Sequence, residues 1–396
     1  MKKSALYLFP SDLVDEGVGP VADRALALGC TTLTVATAYH RARDVVPHAG
    51  ATRRLRHRHD GVFIHPDAAK WAPSRVRPRP QSEEEIDALA ELAASGVPVE
   101  AWTVFLHNTS LAEEHPEIAS ETCFGDKLIS NICPMNDDAA TYATVLADDI
   151  SARGLDIVAE ALSAQTFAHG HHHERSFSPI SDLDEALLGI CFCGSCREAG
   201  ASADLDVDAL AAAARDRIQR AYAGAEGALA TPDAIADATT DEMVAYMKVR
   251  ADGVAQLVAR VTQTVHRNGR TMSFMDLTGA VLGYDDGLPA GPPAAEQGWR
   301  LAIDASSAAE SVDSYSVLGY VDDSERLRHD IASYRAAIGA TPLRVILRPG
   351  YPDTGSEQHL REKVTAAFAG GADQVDFYNY GMYDQSVLDR IPLARE

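Results

Sequence analysis

Eight short apolar runs, each closing on polar residues, constrain this chain more than any other feature. They lie at 6–9, 32–37, 99–106, 155–159, 271–275, 311–316, 343–347 and 374–378. Most are rich in β-branched or aromatic residues and too short for core-spanning helices, so they read as strands. Between them lie stretches with helical patterning, at 21–28, 83–94, 139–153, 241–267, 294–309, 324–338 and 357–369. Punctuation agrees: Ser82 is a natural N-cap before Glu83, Glu84 and Glu85, and Gly96 with Pro98 ends that helix. Eight strands alternating with helices predict an α/β fold, a (β/α)8 TIM barrel. A doubly wound open sheet is the main alternative. It is weakened because no glycine-rich dinucleotide fingerprint follows an early strand. No repeat of fixed period is present.

The 396 residues, 46% of them hydrophobic, are ample for one barrel. The expectation is a single domain over 1–396 with long loops at 41–81 and 110–137. A mainly helical insertion at 162–240 follows the fourth strand and carries a histidine loop and a cysteine cluster. A formal net charge of -23 argues against nucleic acid and anionic membranes as partners. No run of about 18 apolar residues occurs, so no transmembrane helix is expected. Asp12, Asp15 and Glu16 interrupt the first apolar run too early for a signal peptide. The chain therefore reads as cytoplasmic; self-association into a homo-oligomer is left open.

In such a barrel the chemistry sits at the C-terminal ends of the strands. The polar tips here are Asp12, Tyr39 with His40, His107 with Asn108, Glu160, Asp276, Tyr315 with Ser316, Arg348, and Tyr378 with Asn379. Glu160 closes an apolar run, a setting that raises a carboxyl pKa and suits a general acid. Asp276, ending the neighbouring run, is the expected second carboxylate, ahead of Asp353, Asp12 and Asp313. His107, Asn108, Arg348 and Asn379 are expected to bind a polar substrate, with Asp12 and His40 beside them. Tyr39, Tyr315 and Tyr378 offer rings for stacking. The loop with His169, His171, His172, His173 and Glu174 suits substrate contact, assigned to His172, or metal binding. Trp102, inside a strand, reads as core. The basic residues Arg53, Arg54, Arg56 and Arg58 read mainly as a solvated loop.

Cys191, Cys193 and Cys196 place three thiols within six residues. Clustered cysteines in a chain of this size point to metal rather than disulfides, and tetrahedral zinc needs four such ligands. Cys133, on the loop after the adjacent third strand, is the first choice for the fourth, with Cys123 or His173 as substitutes. A site closed by thiolates would pin loops and leave the chemistry to other residues.

Glu160 at the fourth strand's tip, followed by Cys191-Phe192-Cys193-Gly194-Ser195-Cys196, resembles the family 42 glycoside hydrolases, the bacterial β-galactosidases, and related barrel glycosidases. The resemblance covers roughly residues 99–200. It implies Glu160 as acid/base and a structural zinc completed by Cys133. Three features depart from it. Ala159 stands where the family has Asn, and the gap to the cysteines is longer. The seventh-strand tip reads Arg348-Pro349-Gly350-Tyr351-Pro352-Asp353, where the family has a glutamate nucleophile. Galactosidase activity is therefore not carried over.

The expected function is cleavage of a small glycoside or oligosaccharide, with Glu160 as acid and Asp276 as base or nucleophile. Two alternatives remain. One is a metal-dependent sugar isomerase or epimerase holding a divalent cation through Glu160, Asp276 and a histidine. The other is a non-catalytic carbohydrate-binding barrel.

Overall fold

A computed structural model describes residues 3–47, 54–169, 176–178, 180–224, 227–283 and 291–395. Eight parallel strands form a closed barrel: β1 (Ala5–Leu8), β2 (Thr32–Tyr39), β3 (Val99–Val104), β4 (Asp156–Glu160), β5 (Met272–Asp276), β6 (Ser314–Leu318), β7 (Leu343–Leu347) and β8 (Gln374–Phe377). Closure is through β1, which pairs with β2 from Ala5↔Thr32 and with β8 at Leu6↔Phe377. Helices pack outside, and Ser82 caps Glu83–Ala94 as its sequence predicts.

Contacts between strands that are not neighbours fix which side chains point into the barrel. Arg344 on β7 reaches across to Glu100 on β3 with two hydrogen bonds of 2.6 and 2.8 Å. Its Nε donates to Asp376 on β8 at 2.9 Å. Burial pushes the Glu100 carboxyl up, but the Arg344 guanidinium outweighs this and holds it below the usual carboxylate range. One layer above, Trp102 on β3 meets Tyr7 on β1 and Tyr378 after β8, both at 5.5 Å between ring centroids. Glu100, Trp102 and Val104 therefore share the inward face of β3, by the period of two along a strand. The same parity sets Arg344, Ile346 and Arg348 inward along β7.

The sixth strand differs from the expected run at 311–316: pairing begins at Ser314 and ends at Leu318. Asp313 accepts a hydrogen bond from the Met272 N–H and so anchors the strand's start. The tip is consequently Leu318, Gly319 and Tyr320, and Tyr315 lies inside the strand.

A second hydrophobic core lies in the region following β4. Leu183, Leu187, Phe192, Val207, Ile218, Met243 and Tyr246 pack there with five buried cysteines, Cys123, Cys133, Cys191, Cys193 and Cys196. The helix Asp241–Arg267 joins the two cores: Met243 and Tyr246 serve the second, while Val254, Leu257, Val258 and Val261 serve the barrel. Among the described residues, no helix is long and apolar enough to cross a membrane.

Candidate active site

Glu160 ends β4 and turns into the barrel, because its Oε2 accepts a hydrogen bond from the inward indole N–H of Trp102. Burial pushes its carboxyl up to about 7, with the indole bond pulling the other way. The next residue, Ala161, has φ of 53°, the left-handed region that disfavours a Cβ. The chain leaves the strand abruptly there.

Aromatic rings surround this carboxyl. Trp102 packs on Phe9 at 5.1 Å and on Tyr39 at 4.9 Å. Tyr39 points inward because β2 shifts register between Ala36 and Ala38; the extra residue reverses the alternation that would have turned Tyr39 outward. Rings continue outward from it: His40 stacks on Tyr39 and on His107, each at 4.3 Å. His107 Nδ1 then meets His169 Nε2 at 2.9 Å, one ring donating to the other. On the opposite wall, the Arg348 guanidinium lies 4.2 Å from the Tyr320 ring centre, and Tyr320 lies 6.2 Å from Tyr378. Asn379 is buried; its Oδ1 accepts from the Gly381 N–H at 3.1 Å, and its Nδ2 has no hydrogen-bond partner among the described residues.

The structure thus gathers Glu160, Tyr39, His40, His107, Arg348, Tyr378 and Asn379 at one end of the barrel. Four expected residues are placed otherwise. Asp276 shares the parity of Met272, which faces the outer helix through Thr262. Its Oδ2 accepts from Tyr315 at 2.7 Å and its Oδ1 from the Thr278 N–H at 2.8 Å, so both oxygens are committed behind the barrel wall. Burial raises its pKa there, against these hydrogen bonds. Tyr315 lies in the same outer layer, 6.1 Å from Tyr334 of the helix Ser324–Ile338. Asn108 is an N-cap: its Oδ1 accepts from the Leu111 N–H at 2.9 Å. Asp12 likewise closes the first turn of Pro10–Glu16 by accepting from the Phe9 N–H at 2.9 Å. His172 lies outside the described residues. Of the basic loop, Arg58 is buried over Phe9 and paired with Asp44, a packing role.

Sequence reasoning missed Trp102, Phe9 and Tyr320. Trp102 stands two residues from the inward Glu100 on the same strand, and that parity was the signal available. Tyr320 became a tip only through the displaced end of β6.

A cavity of about 700 Å³ opens at the other end of the barrel, lined by Pro98, Leu155, Thr271 and Pro342 from the segments that enter the strands. Its principal charged groups are already engaged: Arg344 with Glu100, Arg270 with the Gly154 carbonyl, and Asp373 with the Leu343 N–H. The convergent polar groups gather instead at the C-terminal ends of the strands, where Glu160 lies.

The cysteines form a compact quartet. Cys133 Sγ lies 3.5, 3.6 and 3.8 Å from those of Cys196, Cys193 and Cys191, and all four side chains are buried. Tetrahedral zinc with Zn–S bonds of about 2.3 Å would space its sulfurs by about 3.8 Å. The Glu121 and Cys193 N–H groups point at Cys191 Sγ at 3.3 and 3.5 Å, and the buried Arg250 lies close enough to oppose thiolate charge. These residues could hold a metal ion. Cys123 stands apart from them, its thiol pushed up to about 11 by burial. Among the described residues no other such cluster of ligands occurs, at Glu160 or elsewhere.

With this geometry in hand, comparison with solved structures places the fold. The chain matches the PgaB (BpsB) glycoside hydrolase domain from Bordetella bronchiseptica with a TM-score of 0.58 at 10% identity, covering 96% of this chain and 95% of that one. It matches the β-galactosidase from Bacillus circulans sp. alkalophilus with a TM-score of 0.57 at 12% identity, covering 99% of this chain and 55% of that one. The α-L-fucosidase isoenzyme 2 from Paenibacillus thiaminolyticus gives 0.52 at 12% identity, covering 100% and 49%. The chain has a glycoside-hydrolase-like (β/α)8 fold and spans about half the length of the galactosidase and fucosidase chains. No protein-family model and no curated protein matches it.

Proposed function

We propose that the protein is a glycosidase that cleaves a small glycoside or oligosaccharide, with Glu160 as its general acid. The observation that carries this is the Glu160 carboxyl itself. It sits at the β4 tip, faces the barrel mouth, and has a pKa lifted to about 7, so much of it is protonated near neutrality. The Trp102 N–H fixes its orientation and limits how far the pKa rises. A protonated carboxyl can deliver its proton to the glycosidic oxygen as the bond to the anomeric carbon breaks. The wall of Phe9, Tyr39, Trp102 and Tyr378 suits the apolar faces of a sugar ring, while Asn379 Nδ2, which has no hydrogen-bond partner among the described residues, offers a donor for a hydroxyl.

The isomerase reading is less well supported. Its cation would need Glu160, Asp276 and a histidine together, and Asp276 faces the outer helices. We assign the cysteine quartet to structural zinc, on the sulfur spacing, in keeping with a reducing, cytoplasmic setting. The test is hydrolysis of a panel of 4-nitrophenyl glycosides by the full chain and by Glu160→Gln. Loss of turnover in the variant supports the reading; unchanged turnover refutes it.

A further inference from the structure

We propose that Arg250 is the buried counter-charge of the cysteine quartet, holding a divalent metal there through its charge while the four sulfurs hold it by coordination. This rests on the zinc assignment made for the quartet and stands apart from the glycosidase reading. Arg250 lies on the helix Asp241–Arg267, on the face with Met243, Tyr246 and Met247 that serves the second core. Its neighbours along that face touch both segments that carry the cysteines. One turn earlier, Tyr246 stacks on Phe192 at 5.5 Å and its hydroxyl donates to the Cys191 carbonyl at 2.7 Å. Three residues later, Gly253 packs so closely on Met135 that a Cβ there would collide with the Met135 sulfur. Met135 stands two residues beyond Cys133. The helix therefore sets Arg250 between the Cys191 segment and the Cys133 segment.

Charge agrees with placement. Arg250 is 5% exposed, its Nε is buried without a partner, and it forms no ion pair among the described residues. The acidic groups that act on it most strongly are the thiols of Cys196 and Cys191, then the Tyr246 phenol and Cys133, ahead of any carboxylate. Arg217, the other buried arginine of this core, has a carboxylate: Asp184 lies 3.2 Å from it. An arginine keeps its charge inside a protein, and a buried charge left uncompensated is costly. Four neutral thiols would leave Arg250 in that state. Four thiolates on a divalent ion carry two negative charges between them, and Arg250 offsets one. The Glu121 and Cys193 N–H groups aimed at Cys191 Sγ add positive dipoles on the same centre. Arg250 makes no hydrogen bond to a sulfur, so it acts on the charge of the centre through space and does not orient a ligand. In a buried setting such action is screened little by salt.

The test is the zinc affinity of the full chain, measured at fixed pH by competition with a chromophoric chelator, for the wild type, Arg250→Met and Arg250→Lys. Methionine keeps much of the apolar stem without the charge; lysine keeps the charge. The methionine variant should bind zinc about ten- to a hundredfold more weakly, the scale for removing a group that supports a metal's ligands. The lysine variant should stay within about threefold of the wild type, and added salt should leave the methionine loss nearly unchanged. Equal affinity of the wild type and Arg250→Met, or equal losses in both variants, overturns the proposal. Should Arg250→Met fail to fold, Arg250→Lys decides: retained affinity supports the counter-charge, and a loss of about tenfold or more removes it. A native chain that binds no zinc removes this proposal together with the zinc assignment. Turnover that depends on Glu160 would stand in either case.

Discussion

Replacing Glu160 by glutamine should stabilise the fold above neutral pH and leave it unchanged in acid. The carboxyl titrates near 7 in the fold against an ordinary value of 4.5. Below pH 4.5 it is protonated in both the folded and unfolded chains and costs nothing. As pH rises towards 7 the unfolded chain releases a proton that the folded chain retains, so unfolding gains ground. Above 7 the penalty is full, and at about 1.4 kcal/mol per pH unit it reaches about 3 kcal/mol. Because Glu160 is only partly buried, solvent screening reduces this, and about 1–3 kcal/mol is the expected range. Glutamine is near-isosteric and carries no charge, so it removes the penalty. For a chain of this length, that gain corresponds to roughly 1–4 °C in melting temperature. Melting curves of both proteins from pH 4 to 8.5 provide the assay. A difference that grows between pH 4.5 and 7.5 and then levels supports the argument. A difference independent of pH, or one of opposite sign, refutes it.

Other perturbations separate the remaining roles. Trp102→Phe removes a hydrogen bond to the charged carboxylate, so the alkaline limb of the pH–rate profile should move up by about one pH unit. Asp276→Asn should lower stability by roughly 1–3 kcal/mol, read by denaturant melts, yet change turnover only a few-fold, because Asp276 bonds Tyr315 and Thr278 behind the barrel wall. Cys193→Ser should lose bound zinc by elemental analysis. It should also loosen the second core, seen as faster amide exchange around Phe192 and Tyr246.

The sequence made the barrel legible because its eight apolar runs carry the strand period and its helices carry their own stops. The cysteine quartet was legible because ligand spacing is local, and Cys133 followed from the adjacency of two loops. What misled was facing. Glu160 and Asp276 both close apolar runs, but one lies on the inward parity of its strand and the other on the outward. A polar residue at the end of a run does not reveal which. Asp12 and Asn108 illustrate a second ambiguity, since the residue types that bind a substrate also cap helices. Tyr39 reached the mouth through a bulge that no local pattern marks. Trp102 was hidden because an indole inside a strand satisfies a hydrophobic core equally well. Only the cross-barrel neighbours disclose that its N–H addresses Glu160.

The most direct test of the central claim is the leaving-group dependence of hydrolysis by Glu160→Gln. Aryl glycosides from 4-nitrophenyl to 2,4-dinitrophenyl would be compared. If Glu160 is the general acid, the variant should lose turnover with the poorer leaving group and retain far more with the dinitrophenyl substrate, which departs without a proton. An equal loss on both substrates, or no loss on either, would contradict the assignment.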